Sequence, residues 1–455
     1  MESTKDKGFN AGLRGRGGMA GLLAACVLGM SCATTAPVAD GPPSNSEAAY
    51  YEPAAALVAE DRTYSPTIRS VQLFKSGFEL APPIIDLNGT ETLLLRFDDL
   101  APTVENLSYT LVHCDAAWHP TDLQPIQYLA GATNAYLPAG RTSYNTLQPF
   151  IHYELALPNE TMRPARSGNY LLKVYRGSDQ QDLVLTRRFL VHEQRATIDA
   201  RVIAPRQVDL RDIAQQVEFI VNTNSLAVQD PFGDLHVTVL QNMRWDDART
   251  TLKPRFVRGT ELVYDMLDDA LFMAGNEYRA FDLKNLRYAS TRVARIVPGI
   301  GERVYEAWLA PEPPRAIKRY NAQQDLNGRF IIRNDLVDGD PLGADYVNVR
   351  FTLPMAGPTN KDIYVYGQLS DFQCRKEFRM GWSVSDSAYT ATILLKQGYY
   401  DFSYVTLGPG AAAPDITAIE GSHYQTGNEY LVLVYFSDRM QRCDRLVGMR
   451  WVSSR

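Results

Sequence analysis

The densest grouping of residues able to do chemistry is His113-Cys114-Asp115-Ala116-Ala117-Trp118-His119, with two imidazoles, a thiol and a carboxylate in seven positions. These are the donor types of a zinc centre or of a nucleophile with its base. A strand through His113 and Cys114 sends them to opposite faces, and no second Cys or His pair at ligand spacing follows. The stretch therefore reads as a structural cluster around Trp118, with Cys114 as a small hydrophobe. Asp268, Asp269, Asn276 and Glu277 are oxygen donors suited to calcium, but their spacing follows no calcium-loop order and they read as turn acids. A G-x-S-x-G elbow, a glycine loop ending in Lys-Ser/Thr, an H-E-x-x-H pair and a C-x-x-C pair are all missing. The expectation is a chain without catalytic residues, metal, cofactor or small-molecule substrate.

Two other groupings suit recognition. Tyr364, Tyr366, Phe372, Trp382, Tyr399, Tyr400, Phe402 and Tyr404 crowd one stretch. In Lys396–Val405 (KQGYYDFSYV) alternation puts Tyr400, Phe402 and Tyr404 on one face and Tyr399, Asp401 and Ser403 on the other. Such rings either fill a sandwich core or leave Trp382, Tyr399 and Tyr400 for a partner protein or a sugar. Arg439, Arg442, Arg445 and Arg450 follow, and either form a charged sheet face or pair with a partner's acids; Arg439, Arg442 and Arg445 are the contact candidates.

Short strands must position all of these. Of 455 residues, 25 are Tyr and 17 Phe, which favours pleated surfaces over helices. Alternating runs such as Glu91–Phe97, Leu107–His113, Leu183–Val191, Leu235–Leu240, Val347–Leu353, Thr390–Leu395, Tyr399–Thr406 and Tyr430–Phe436 are separated by turn residues. Long amphipathic helical periods are missing, so the expected fold is all-β, with tandem β-sandwich domains of immunoglobulin-like or early-set type. The expected sandwiches span 65–195, 196–355 with long loops, and 356–455. With 46 basic against 52 acidic residues, a net charge of −6 and no basic block interleaved with aromatics, the composition speaks against a nucleic-acid partner.

The first 32 residues carry a separate message. Lys5, Lys7, Arg14 and Arg16 precede an uncharged run, Met19–Met30, of signal-peptide length and too short to span a bilayer. Cys32 closes the run and Cys26 lies within it, so the end is lipobox-like: Cys32 fits the length, and Cys26, after Leu23-Ala24-Ala25, is the alternative acylation site. Residues 33–64 read as a flexible tether. Cys114, Cys374 and Cys443 in the body are too few for a disulfide framework, and a Cys374–Cys443 bridge stays open.

Several strings together resemble the plug protein family of the type IX secretion system of Bacteroidota, formerly a family of unknown function. They are His113–Trp118 (HCDAAW), Ser143–Thr146 (SYNT), Ser167–Tyr170 (SGNY), Arg187–Val191 (RRFLV), Leu395–Tyr400 (LKQGYY), Glu420–Gly421 (EG), Gly427–Tyr435 (GNEYLVLVY) and Asp444–Gly448 (DRLVG), in the family's order over about residues 65 to 450. Cys443 stands where that family more often has an aromatic. The resemblance implies a periplasmic, non-enzymatic protein, associated with or tethered to the outer membrane, that binds and seals the periplasmic side of a large outer-membrane translocon β-barrel. The last unit also resembles early-set glycogen-binding-like sandwiches through Ile363–Leu369 (IYVYGQL) and Trp382, which implies carbohydrate binding as the alternative. Phe372 and Gln373 stand where that pattern has its sugar-contacting tryptophan, a departure that weakens the alternative.

Overall fold

In Tyr346–Pro354 the side chains of Val347, Val349, Phe351 and Leu353 are buried, while Asn348, Arg350 and Thr352 between them are only half-buried. That period of two is what a sheet with one covered face requires. The computed structural model describes residues 57–455, apart from 251, 267 and 302. Over these the chain is all-β, with a four-residue α-helix at Pro125–Tyr128 and short 3-10 turns. Among the described residues no helix is long and apolar enough to cross a membrane.

The first sandwich lies within residues 62–192. One sheet runs Ile68–Lys75, Leu93–Asp99, Ile151–Leu157, Arg141–Thr142; the other runs Arg62–Thr63, Leu183–His192, Gly168–Arg176, Leu107–Cys114, Ala135–Tyr136, with Ile84–Asp86 parallel to Leu183–His192. Leu93, Leu95, Phe97, Leu111, Tyr153, Tyr170, Leu172 and Val174 fill the space between them.

The middle sandwich uses strands far apart in sequence. One sheet holds Thr197–Ile203, Ala214–Asn222, Glu261–Tyr264 and Phe256–Arg258, and the facing sheet joins Leu235–Gln241 to Glu429–Asp438 and Cys443–Ser453. Leu235 pairs with Phe436 and Gln241 with Tyr430, an antiparallel register held for seven residues. The third domain is a nine-stranded sheet of strands between Arg279 and Leu407. Arg379–Ser383 passes between its two halves, pairing with Asp362–Tyr366 at Met380 and with Ala388–Lys396 from Gly381 onward. Phe281 and Tyr400 from one half meet Val349 and Phe351 from the other in a single core.

Strand pairing therefore crosses the expected cuts. Tyr346–Pro354, expected in the middle unit, is a central strand of the third, and the last two strands, expected in the third, complete the middle sandwich. Local alternation locates strands; it carries no information on which distant strand they join.

The first and middle sandwiches are stacked, so that two sheets are covered on both faces. In Glu429–Asp438, Tyr430, Val432 and Val434 enter the middle core, whereas Leu431, Leu433 and Tyr435 pack with Ile84, Leu171 and Leu190 of the first sandwich. The run of apolar residues in GNEYLVLVY follows from this double coverage, as a two-sided strand has no solvent face to mark with polar residues. At roughly 1.5–3 kcal/mol for each large side chain fully buried, this inter-sandwich layer is a core in its own right. Tyr435 adds a hydrogen bond from its hydroxyl to Asn169 Oδ1 at 2.8 Å.

Candidate partner-binding surfaces and the interdomain core

The HCDAAWH segment builds a junction. Leu107–Cys114 ends at Cys114, and Asp115 turns the chain by accepting from the backbone N–H of Ala117 and His119 at 2.9 and 2.8 Å. His113 is fully buried; its ring nitrogens face Thr121 Oγ1 at 3.2 Å and the Ser167 carbonyl at 3.3 Å, and burial holds its pKa below the ordinary value. Burial pushes the Cys114 thiol up to about 12, leaving it unreactive as a thiolate nucleophile near neutral pH. His119 turns outward beside Asp115, away from His113. Trp118 carries the cluster: it meets Trp245 of the middle sandwich edge-on at 5.0 Å, and the Arg188 guanidinium lies over both rings at 4.4 and 5.3 Å.

The acids at 268–277 are dispersed. Asp268 and Asp269 sit on an exposed turn, Asn276 donates to the Glu420 carbonyl, and Glu277 accepts from the Gly427 N–H, the Tyr320 hydroxyl and Arg455.

The aromatic set divides by face. Tyr400 is 2% exposed, stacked between Phe281 at 5.2 Å and Phe330 at 5.0 Å, and its hydroxyl donates to the Lys396 carbonyl. It is a core residue and not a contact residue, because the strands Arg279–Asp282 and Phe330–Ile332 both pair along this part of Gly398–Leu407. Tyr364, Tyr366, Phe402 and Tyr404 are buried as well. Trp382, edge-on to Tyr389 at 5.2 Å, and Tyr399 remain half-buried, so these two keep surface for a partner.

The arginines also divide. Arg445 pairs inward with Glu193 at 2.6 Å and Asp438 at 3.1 Å, tying the last strand to the linker that leaves the first sandwich. Arg439 reaches Asp234 at 2.8 Å but stays 73% exposed. Arg442 is exposed on the turn between the last two strands, beside Met440 at 96% exposure, and makes no ion pair or side-chain hydrogen bond among the described residues.

The residues that join the first and third domains were not singled out by sequence reasoning. Lys396 Nζ lies 2.6 Å from Asp98 Oδ2, His152 Nδ1 lies 2.6 Å from Asp98 Oδ1, and the Tyr346 hydroxyl donates to Asp98 Oδ2 at 2.7 Å. All four side chains are buried. Burial alone would raise the Asp98 carboxyl; the Lys396 ammonium and the His152 hydrogen bond outweigh it and hold the pKa below the ordinary value. Burial works against the His152 charge, but hydrogen bonds to Asp98 and to Glu154 at 3.4 Å outweigh it and raise the pKa. Burial lowers Lys396, with Asp98 opposing. The available signal was a lone lysine in the apolar run TILLKQGYY and a carboxylate pair ending LLLRFDD. A second buried network, within the third domain, places Arg279, fully buried, against Glu420 at 2.9 Å and Glu312 at 2.8 Å, and Arg315 also reaches Glu420 at 2.7 Å.

Cys114, Cys374 and Cys443 are free thiols. Cys443 packs into the first core and Cys374 beside Tyr364 and Tyr366, so the bridge left open by the sequence does not form. Cys26 and Cys32 lie outside the described residues.

The Type 9 secretion system plug protein 1st domain matches residues 68–193, the extent of the first sandwich. A crystal structure of a hypothetical protein from Parabacteroides merdae ATCC 43184 superposes with a TM-score of 0.83 at 30% identity, covering 87% of this chain and 99% of that one. A Pseudomonas fluorescens alkylpurine DNA glycosylase, AlkC, aligns over 28% of this chain and 30% of that one at 15% identity and a TM-score of 0.17, which carries no structural argument. No curated protein matches the chain. With its first sandwich matched and its full architecture shared with a relative, the chain belongs to the type 9 secretion system plug protein family.

Proposed function

We propose that this protein is a non-enzymatic component of the cell envelope that binds and seals the periplasmic side of a large outer-membrane type IX translocon barrel. The observation that carries the reading is the interlocking of the three domains: the apolar layer between the stacked sandwiches and the buried Asp98–Lys396–His152–Tyr346 network resist hinging between domains. A body that closes a wide pore must hold its shape against the pore wall, and buried interfaces supply that stiffness where flexible linkers would not. Trp382, Tyr399, Arg439 and Arg442 are the proposed contact residues. Acylation of Cys32, with Cys26 as the alternative, would hold the chain at the outer membrane and raise its local concentration there.

Affinity capture of the tagged mature protein from gently solubilised outer membranes tests the reading. One very large β-barrel recovered in near-stoichiometric amount is expected, together with a leakier envelope on deletion. Failure to recover a barrel, under conditions that preserve a known barrel complex, overturns it. Labelling with a clickable fatty acid, lost in Cys32→Ser and kept in Cys26→Ser, tests the anchor separately.

A further inference from the structure

Between the first sandwich and the third domain lies a cleft of about 470 Å³, lined on one side by Thr63–Pro66 and Ile68–Val71 and on the other by Thr392–Leu395. Its size is that of a site for a ligand or a short chain segment. The Thr392–Leu395 wall is a sheet edge. Gln397 N–H donates to the Asp345 carbonyl and Met355 N–H to the Ser387 carbonyl, which marks Asp345/Gln397 and Met355/Ser387 as hydrogen-bonded positions at the two ends of this strand pair. Alternation in an antiparallel pair then directs the N–H and C=O groups of Ala388, Thr390, Thr392 and Leu394 to the other side. Arg379–Ser383 takes up Ala388 and Thr390, and then turns away to pair with Asp362–Tyr366. Thr392 and Leu394 keep their edge groups unpaired by any strand among the described residues, facing the cleft.

The opposite wall is an edge as well. Ile68–Lys75 is the terminal strand of its sheet, and its register breaks between Arg69 and Gln72, where Ser70 takes φ 52°. Three guanidinium groups, Arg69, Arg187 and Arg375, line the cleft against two carboxylates, Asp371 and Glu377. Asp371 is shared by Arg187 at 3.4 Å and Arg375 at 3.0 Å. Among the described residues Arg69 bonds only to its neighbouring Ile68 carbonyl, at 2.9 Å, and has no carboxylate partner there, so it stands in the cleft as a cation open to one.

We infer that this cleft binds an extended, acidic polypeptide segment, which adds as a strand to the Thr392–Leu394 edge and sets carboxylates against Arg69. An open edge on a protein surface invites pairing with any other edge and is normally blunted by charge, proline or cover. Here the first sandwich stands across the gap, so a sheet or a folded domain cannot approach, while a single extended chain can enter. Strand addition supplies affinity through main-chain hydrogen bonds that need little sequence, and the arginine excess supplies the preference for acids.

The test is selection of phage-displayed random dodecapeptides on the mature full-length protein, followed by anisotropy titration of the enriched peptides, and it does not depend on the barrel. Acidic peptides are expected, with binding weakened at least tenfold by Arg69→Glu and by Thr392→Pro. Proline is tolerated at an edge position whose N–H serves no ladder, so Thr392→Pro should keep the wild-type melting temperature. As a ligand-side control, N-methylation at alternate peptide nitrogens should abolish binding to the unaltered protein in one of its two phases and spare it in the other. No enrichment of acidic peptides, or binding indifferent to N-methylation in both phases, overturns the inference; barrel capture that fails while peptides bind overturns only the sealing role.

Discussion

Lys396 of the third domain and Asp98 of the first meet at 2.6 Å with each side chain only 1% exposed. Two charges taken from water at such a site are costly, and their attraction offsets that cost only while both remain and their other valences are filled. Tyr346 and His152 fill those of Asp98, and Lys396 lies 3.9 Å over the Phe150 ring. Removing the lysine alone, in Lys396→Met, should destabilise the protein by about 3–5 kcal/mol, since Asp98 keeps its burial and loses its nearest cation. The double variant Lys396→Met/Asp98→Asn should recover a large part of the loss. Urea unfolding of the four proteins of this cycle gives the coupling; additive effects would mean that the pair does not act as a unit.

The same network makes stability depend on pH through His152. Its folded pKa is raised above 6.5, so its contribution is complete below 6.5 and is lost as pH rises through the folded value. His113, His192 and His423 are shifted the other way by burial, and act on the acid side of 6.5, where protonation penalises the fold. The Asp401 carboxyl, pushed up to about 7 by burial and by Asp325, lowers stability as pH rises from the ordinary carboxylate value to about 7 and adds nothing to the slope above it. The expected result is a urea midpoint that falls as pH rises above 6.5, with a shallower fall in His152→Gln. Equal slopes for the two proteins would remove His152 as the source.

Neighbouring tyrosines should behave oppositely. Tyr400→Ala empties the space between Phe281 and Phe330 and is expected to cost about 3–5 kcal/mol, whereas Tyr399→Ala, at a half-buried position on the other face, should cost well under half of that. Thermal melts of both variants check the assignment of faces.

These two residues also show where sequence reading stops. Alternation in KQGYYDFSYV correctly groups Tyr400 with Phe402 and Tyr404 on one face. Which face meets a partner is decided by Phe281 and Phe330, which lie more than sixty positions upstream and reach Tyr400 only through sheet pairing. The apolar run at Tyr430–Tyr435 was legible as a strand for the same local reason, and its pairing with Leu235–Gln241 was not. Lys396 carries no local sign of its burial, because the carboxylate that permits it comes from another domain. Trp118 was legible as a structural centre, though its partners Trp245 and Arg188 were not.

The three body thiols should be unequal and unlinked. Native-state alkylation followed by peptide mapping should label Cys374, which is half-buried, ahead of Cys114 and Cys443, which are buried; Cys114, its thiol pushed up to about 12, should be the slowest. A Cys374–Cys443 crosslinked peptide in the non-reduced digest would contradict their placement in separate cores.

The arginines separate structure from recognition. Arg445→Glu sets a carboxylate against Glu193 and Asp438 in a partly buried site and should cost about 2 kcal/mol or more, loosening the last strand from the linker that precedes the middle sandwich. Arg442→Glu loses no ion pair among the described residues and should leave the melting temperature unchanged. If the turn beside Met440 faces the barrel, Arg442→Glu combined with Arg439→Glu should reduce barrel capture several-fold, with the effect growing at low salt, where exposed charges are least screened. Undiminished capture by this stable double variant would discard the turn as a contact and leave Trp382 and Tyr399 as the remaining candidates.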